Sequence, residues 1–135
     1  MLNRADPKNS LIRVLLVDDS EAFRRVATDF MQRHHELTVV GVACEDEEAL
    51  VQAQVLGPQV ILIGLDTPGP TGLKTISRLR EVLPDVGIIA LTLLEGDAYR
   101  QAALAAGADD LVRKAELVTD LLPAIRRVTQ AKRSR

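Results

Sequence analysis

The chain is poor in aromatic residues and contains a single cysteine. Only 2% of its 135 residues are aromatic, and none is tryptophan. Proteins that bind single-stranded nucleic acid by stacking bases need aromatic faces, so the composition disfavours that class. Cys44 has no partner for an internal disulfide. The longest apolar run is far too short to span a bilayer, and the N-terminus has no apolar core typical of a secretory signal. These absences predict a soluble cytoplasmic protein with no membrane partner.

The charge also lacks a dominant sign. Seventeen Lys and Arg residues against nineteen Asp and Glu give a formal net charge of −2, with a pI near 5.7. Such a balance gives no global attraction to nucleic acid or membrane. Hydrophobic residues make up 47% of the chain, which suffices for one aliphatic core in a domain of this size. We expect a flexible lead at residues 1–10, one domain at 11–129 and a basic polar tail at 130–135.

The hydrophobic pattern alternates strands with helices. Residues 60–65 are apolar or glycine without polar alternation, as in a strand buried on both faces. This stretch is predicted to be a central parallel strand. The other predicted strands are 11–17, 37–42, 87–92 and 110–113. The predicted helices are 21–33, with Val26 buried, a second one capped by Asp46 and ended by Gly57, then Thr71 to Leu83 and 97–106. The last predicted helix starts at about Thr119, because Pro123 is tolerated only in a first turn.

Five strand-helix units predict an α/β fold, a doubly wound parallel sheet with helices on both faces. In such sheets ligands bind beyond the carboxyl ends of the strands. Asp18 and Asp19 follow the first strand there, and Lys114 follows the fifth. Adjacent carboxylates suit a hard cation such as Mg²⁺. The alternative is that both acidic residues merely cap a helix.

The residues at these strand ends resemble the receiver domains of two-component response regulators. Residues 15–20 are similar to the acidic stretch that holds magnesium in that family, Thr92 to its hydroxyl switch and Lys114 to its lysine. Residues 107–109 match its Gly-Ala-Asp turn. The resemblance covers residues 12–129 and implies a CheY-like sheet with strand order 2-1-3-4-5, within a phosphorelay signalling system.

The phosphoacceptor position departs from this resemblance. The family's spacing places the phosphorylated aspartate at residue 64, which is glycine, so the nucleophile for phosphoryl transfer is absent. A non-enzymatic module is therefore expected, with a weak or vestigial magnesium site at Asp18, Asp19 and Asp66. We expect Lys114 to pair with one of these three carboxylates. The alternative is self-phosphorylation at Asp66, two residues beyond the usual position.

Two further departures concern the family's switch. The position after Thr92, small in receivers, is Leu93, which is expected to crowd phosphate entry. Leu111 replaces the expected strand-five aromatic and is predicted to stay buried beneath the fourth helix. Together with Gly64, these two departures predict a pseudo-receiver that is not controlled by phosphorylation.

The resemblance implies a function in protein-protein interaction. Receivers commonly use the face of helix four, strand five and helix five, which makes Tyr99 and Arg113 candidate contacts for a partner protein or a second copy. Whether a histidine kinase acts on this chain stays open. The alternative is the N-terminal receiver of a DNA-binding regulator, since residues 39–41 and 123–126 look closest to receivers with a helix-turn-helix output domain. Nucleic-acid binding would then require sequence beyond Arg135.

Overall fold

A computed structural model describes residues 11–65 and 71–134 of the chain. It contains one five-stranded parallel sheet with the order β2-β1-β3-β4-β5. This confirms the predicted fold class and strand order, with β3 in the middle. The strands are β1 (Ile12–Val17), β2 (Leu37–Ala43), β3 (Val60–Gly64), β4 (Gly87–Thr92) and β5 (Asp110–Arg113).

The helices cover both faces of the sheet. They are α1 (Glu21–Gln32), α2 (Asp46–Leu56), α3 (Thr71–Val82), α4 (Asp97–Ala106) and α5 (Leu117–Arg133), and a 3-10 helix (Lys114–Glu116) joins β5 to α5. Helices α1 and α5 pack on one face, while α2, α3 and α4 pack on the other. Among the residues described, no helix combines the length and apolarity needed to cross a membrane.

Strand β3 is buried on both sides, as its uninterrupted apolar sequence predicts. All five of its residues are buried. Leu62 belongs to the core cluster beneath α1 and α5, whereas Ile61 and Ile63 belong to the cluster beneath α2, α3 and α4. Alternate side chains of a strand point to opposite faces, so β3 contributes to both cores. Its carboxyl end, Gly64, therefore lies at the centre of the sheet edge where the functional site was expected.

The start of α5 differs from the prediction. The helix begins at Leu117 rather than near Thr119, so Pro123 lies in its interior and not in its first turn. Proline has no N–H, so the carbonyl of Thr119 receives no intrahelical hydrogen bond from residue 123. Burial of Leu117 and Leu121 against the sheet offsets that loss. The helix also continues through residues 130–133, part of the segment expected to form the tail.

Two side-chain predictions for α1 and α2 are wrong. Val26, predicted to be buried, is largely exposed, because it lies away from the α1 face that carries Ala27 and Met31. Asp46 does not cap α2; Glu45 holds the N-cap position and makes no capping hydrogen bond through its side chain. Asp46 instead accepts a hydrogen bond from Thr75 Oγ1 at 2.6 Å and so ties α2 to α3.

Candidate functional site

The carboxyl ends of β1, β3 and β5 bring three predicted site residues together. Asp18 follows β1, Gly64 ends β3, and Lys114 follows β5. Lys114 Nζ lies 2.7 Å from Asp18 Oδ2, and the two side chains are only 6% and 2% exposed. A buried ion pair therefore joins the first and last strands at this edge of the sheet. Lys114 was predicted to pair with one of three carboxylates, and the structure shows that its partner is Asp18.

The position of Asp18 is fixed by its backbone as well as its side chain. Its N–H donates to the Ala43 carbonyl at 3.0 Å, and its own carbonyl accepts from Arg24 Nη1 at 2.7 Å. Side-chain Oδ1 accepts from the Ser20 N–H at 2.9 Å. Oδ2 is buried and accepts no hydrogen bond of good geometry from a described residue, so the ion pair with Lys114 compensates its charge.

Gly64 provides the space that Asp18 occupies. A Cβ added at Gly64 would lie 2.0 Å from Asp18 Oδ2 and 2.8 Å from Asp18 Cγ. A Cβ added at Gly72 would lie 2.8 Å from the Gly64 carbonyl oxygen, so a second glycine lets the first turn of α3 approach the end of β3. The pocket that remains, next to Asp18, has a volume of about 80 Å³. The Asp18 carboxylate thus occupies the volume where a side chain at position 64 would begin.

Lys114 is also in contact with an aromatic ring. Its Nζ lies 4.1 Å from the centroid of the Phe23 ring. Phe23 is partly buried and packs against the core cluster beneath α1 and α5. An ammonium over a ring face is attracted by the ring quadrupole, and the attraction grows when water is excluded. Phe23 therefore adds to the interactions that hold Lys114 beside Asp18.

The described residues do not fit a magnesium site. Asp18 has both carboxylate oxygens engaged, and Asp19 is exposed. Within 11–65 and 71–134, no group of three His, Cys, Asp or Glu residues could hold a metal ion. Asp66, the third predicted ligand, lies outside the described residues. Since Mg²⁺ requires near-octahedral oxygen ligands, an ammonium group against Asp18 is a direct competitor for this carboxylate.

Cys44 and Glu48 form a contact beside the same pocket that the sequence did not reveal. The Cys44 N–H donates to Glu48 Oε1 at 2.9 Å, and the Cys44 Sγ lies 3.4 Å from that oxygen. The hydrogen bond to Glu48 raises the pKa of the Cys44 thiol, and the bond from the Cys44 backbone lowers the pKa of Glu48. A protonated thiol is a poor nucleophile and metal ligand, so Cys44 adds little chemistry to the site.

The two predicted switch positions differ in burial. Thr92 is fully buried at the end of β4, and its Oγ1 accepts a hydrogen bond from the Leu94 N–H at 3.0 Å. Leu111 was predicted to be buried but is only partly so, because β5 is an edge strand. It still packs against the cluster that contains Ala103 of α4. Leu93 is largely exposed and does not line the pocket, so its expected crowding of phosphate entry stays a prediction.

The sequence matches a known protein family over most of its length. The family model for the response regulator receiver domain matches residues 14–126. The chain belongs to this family. The receiver is 35% identical to "Response regulator GacA" from Pseudomonas protegens over 123 residues, which are 91% of this chain and 58% of that protein. Over 104 residues, 76% of the chain, it is 36% identical to a protein-glutamate methylesterase/protein-glutamine glutaminase from Geobacillus kaustophilus, of which it covers 30%.

Solved structures agree with this membership. A crystal structure of a LuxR-family two-component response regulator from Aurantimonas sp. superposes with a TM-score of 0.84 and 27% identity, covering 90% of the receiver and 87% of that chain. The response regulator domain of Thermotoga maritima CheB gives a TM-score of 0.80 with 29% identity, covering 89% and 97%. The chain is therefore the receiver domain of a two-component response regulator, and it spans about 58% of the length of the GacA relative.

The receiver's two predicted partner residues differ in how freely they are presented. Tyr99, on α4, is 41% exposed. Arg113 lies 3.3 Å from Glu95 Oε2 and 2.6 Å from Glu116 Oε2. The hydrogen bond to Glu116 is the main cause of the raised pKa of Arg113. Arg113 therefore links the β4-α4 loop to the 3-10 helix, and only Tyr99 offers a side chain without an ion pair to break.

Three basic residues of α5 form ion pairs within the receiver. Arg126 Nη2 lies 2.5 Å from Glu36 Oε1, Arg127 Nη2 lies 2.9 Å from Asp110 Oδ2, and Lys132 Nζ lies 3.1 Å from Asp109 Oδ1. The hydrogen bond from Arg126 lowers the pKa of Glu36 and raises that of Arg126. Part of the positive charge of α5 is thus compensated by acidic residues of the receiver itself, as is usual for a solvated helix face.

Proposed function

We propose that this receiver is an atypical, non-enzymatic signalling module that acts through protein-protein contact without being phosphorylated. One observation carries the proposal. Gly64 ends the central strand β3, and Asp18 Oδ2 lies 2.0 Å from the position its Cβ would occupy. By the resemblance to receivers, position 64 is that of the phosphoacceptor. Glycine offers no side-chain oxygen that could attack a phosphodonor, and the space is already filled by a carboxylate.

The other site residues have structural roles in this proposal. By the resemblance to receivers, Asp18, Asp19 and Asp66 mark the place of a magnesium site, and the ion pair of Asp18 with Lys114 leaves at most weak affinity there. Lys114 neutralises Asp18 permanently instead of contacting a phosphoryl group. Thr92 and Leu111 occupy the switch positions without switching, since no phosphoryl group forms to draw the Thr92 hydroxyl inward.

The proposed partner surface is the face of α4, β5 and α5, presented in the cytoplasm to a protein or to a second copy of the chain. Tyr99 supplies an exposed aromatic side chain, a type enriched in interface cores. Arg113 is held by Glu95 and Glu116 and fixes the shape of the surface next to it. The surface then has one conformation without a phosphorylation signal.

Tyr99→Ala tests the partner surface. We expect a pull-down from the host organism to retain about tenfold less partner than wild type, because a truncated interface aromatic commonly costs more than 1 kcal/mol of binding. The free energy of unfolding should stay within about 0.5 kcal/mol, since the side chain is exposed. Val55→Ala on α2, where Val55 is 76% exposed, is the matched control and should retain the partner fully. Equal retention by both variants would rule out this face.

Gly64→Asp tests the magnesium part of the proposal. An aspartate at position 64 must displace the Asp18 carboxylate, because even its Cβ overlaps Oδ2. It therefore adds one carboxylate and separates another from Lys114. We expect Mg²⁺ affinity to rise about tenfold or more in a calorimetric titration, since affinity grows with the number of carboxylate ligands. Asp19→Asn in the same background should reverse the gain. A Gly64→Asp protein that binds no more tightly than wild type would show that the acidic pocket is wrongly placed.

A second candidate is that the chain is the receiver part of a longer DNA-binding regulator. The favouring observation is that the matched segment is 58% of GacA, and that a LuxR-family response regulator is among the similar structures. The complete gene sequence decides between the two candidates: a reading frame that continues past Arg135 into helical, basic sequence supports the second. Self-phosphorylation at Asp66 stays an alternative, and Asp66 lies outside the described residues.

A further inference from the structure

We propose that Asp18, Lys114 and Gly64 form a permanent internal latch that holds the 3-10 helix and the start of α5 in one position. The latch is the buried Asp18-Lys114 ion pair seated in the side-chain space of Gly64. Its significance rests on the proposed function, because a fixed partner surface is what a receiver without phosphorylation requires. Its test is independent of that function, since it needs neither partner nor phosphodonor.

The latch connects elements from both ends of the chain. Asp18 is tied to β2 through the Ala43 carbonyl and to α1 through Arg24 and Ser20. Lys114 is the first residue of the 3-10 helix, which leads directly into α5 at Leu117. A displacement of the 3-10 helix would pull Lys114 away from Asp18. The ion pair therefore couples the position of the start of α5 to the rigid end of β1.

Among the described residues, the surroundings on the other side of the Asp18 carboxylate are acidic. Next to it lies the small pocket of about 80 Å³, which is lined by Asp19, Glu45 and Asp46. Turning the carboxylate toward these acidic residues would bring like charges together and leave Lys114 without this counter-ion. Leaving an uncompensated charge buried is strongly unfavourable. The latch consequently has one closed state, in contrast to a switch with two.

Gly64 is the element that makes the latch possible. A methyl group at this position overlaps Asp18 Oδ2, so the carboxylate must leave or the strand must shift. No charged group has to be removed to break the ion pair. This distinguishes the latch from an ordinary buried salt bridge, because a neutral substitution at a third residue opens it.

Gly64→Ala tests the latch through amide hydrogen exchange of the isolated receiver. We expect exchange at residues 114–121 to rise about tenfold or more, while amides of β1 and β3 keep their protection. Gly41→Ala is the matched control: its Cβ would lie 2.4 Å from Gln52 Oε1, a comparable overlap in the same sheet far from Lys114. It should leave exchange at 114–121 at the wild-type rate.

Asp18→Asn opens the latch without adding volume and should raise exchange at the same amides. This variant decides the question if Gly64→Ala fails to fold. Adding Gly64→Ala to Lys114→Met should raise exchange no further than Lys114→Met alone, because the latch is already open. Wild-type exchange at residues 114–121 in Asp18→Asn, or an equal increase in Gly41→Ala and Gly64→Ala, would overturn the proposal. Phosphorylation of the wild-type receiver would instead contradict the proposed function and is read by a separate mass measurement.

Discussion

Replacing Lys114 by methionine is expected to lower the free energy of unfolding by about 3 to 5 kcal/mol, the usual cost of removing one partner of a buried ion pair. Asp18 Oδ2, which is buried and accepts no hydrogen bond from a described residue, would lose its ion pair with Lys114. Urea unfolding monitored by circular dichroism measures the loss. Lys132→Met is the matched control: Lys132 pairs with Asp109 at 3.1 Å but is 19% exposed, so its loss should stay near 1 kcal/mol.

A double-mutant cycle with Asp18→Asn separates the ion pair from the other contacts of Lys114. The double variant should be more stable than Lys114→Met alone, because the uncompensated charge is gone. We expect a coupling energy of about 1 to 3 kcal/mol between the two positions. Effects that add within about 0.5 kcal/mol would mean that the pair is not coupled, and that the cost of Lys114→Met comes from its other contacts, such as that with Phe23.

Arg80→Met should cause the second large loss, about 3 kcal/mol, at the opposite end of the sheet. The Arg80 guanidinium donates to the carbonyls of Pro84 at 2.9 Å, Val86 at 2.6 Å and Gly107 at 2.9 and 3.0 Å, and it pairs with Asp109 at 2.9 Å. It thus ties the end of α3 to the two loops that enter β4 and β5. Methionine fills much of the volume but satisfies none of these acceptors.

Arg80→Lys is the control for charge at this position. Lysine keeps the positive charge but cannot bond to three carbonyls through a planar fork, so it should recover less than half of the loss. Urea unfolding of the two variants gives the comparison. A lysine variant as stable as wild type would show that charge alone stabilises this corner and that the carbonyl contacts of Arg80 contribute nothing measurable.

The sequence predicted the sheet well because its strands are locally encoded. Residues 60–65 have no polar alternation, and the predicted bounds of each strand lie within one residue of those observed. The position of Pro123 predicted the start of the last helix less accurately. Pro123 predicts a helix start near Thr119, but α5 begins at Leu117. The helix extends toward its N-terminus because Leu117 and Leu121 are buried against the sheet. The local sequence does not encode the position of the sheet relative to these residues.

The candidate site was predictable in its members but not in its arrangement. Asp18, Gly64 and Lys114 were each identified at a strand end, and pairing of Lys114 with a carboxylate was expected. The Asp18 carboxylate fills the space above Gly64 because the ends of β1 and β3 lie close together. No local sequence pattern encodes that distance. The Arg80-Asp109 pair spans 29 residues and was missed for the same reason, although the Gly-Ala-Asp turn marks one of its ends.

Phosphorylation chemistry tests the central claim most directly. The wild-type receiver would be incubated with acetyl phosphate and Mg²⁺, and its intact mass measured before and after. We expect the mass to stay unchanged, because Gly64 supplies no oxygen to accept a phosphoryl group. A stoichiometric increase by one phosphoryl group, mapped by peptide analysis to Asp66 or to Asp18, would contradict the account and make this chain a receiver with a displaced acceptor.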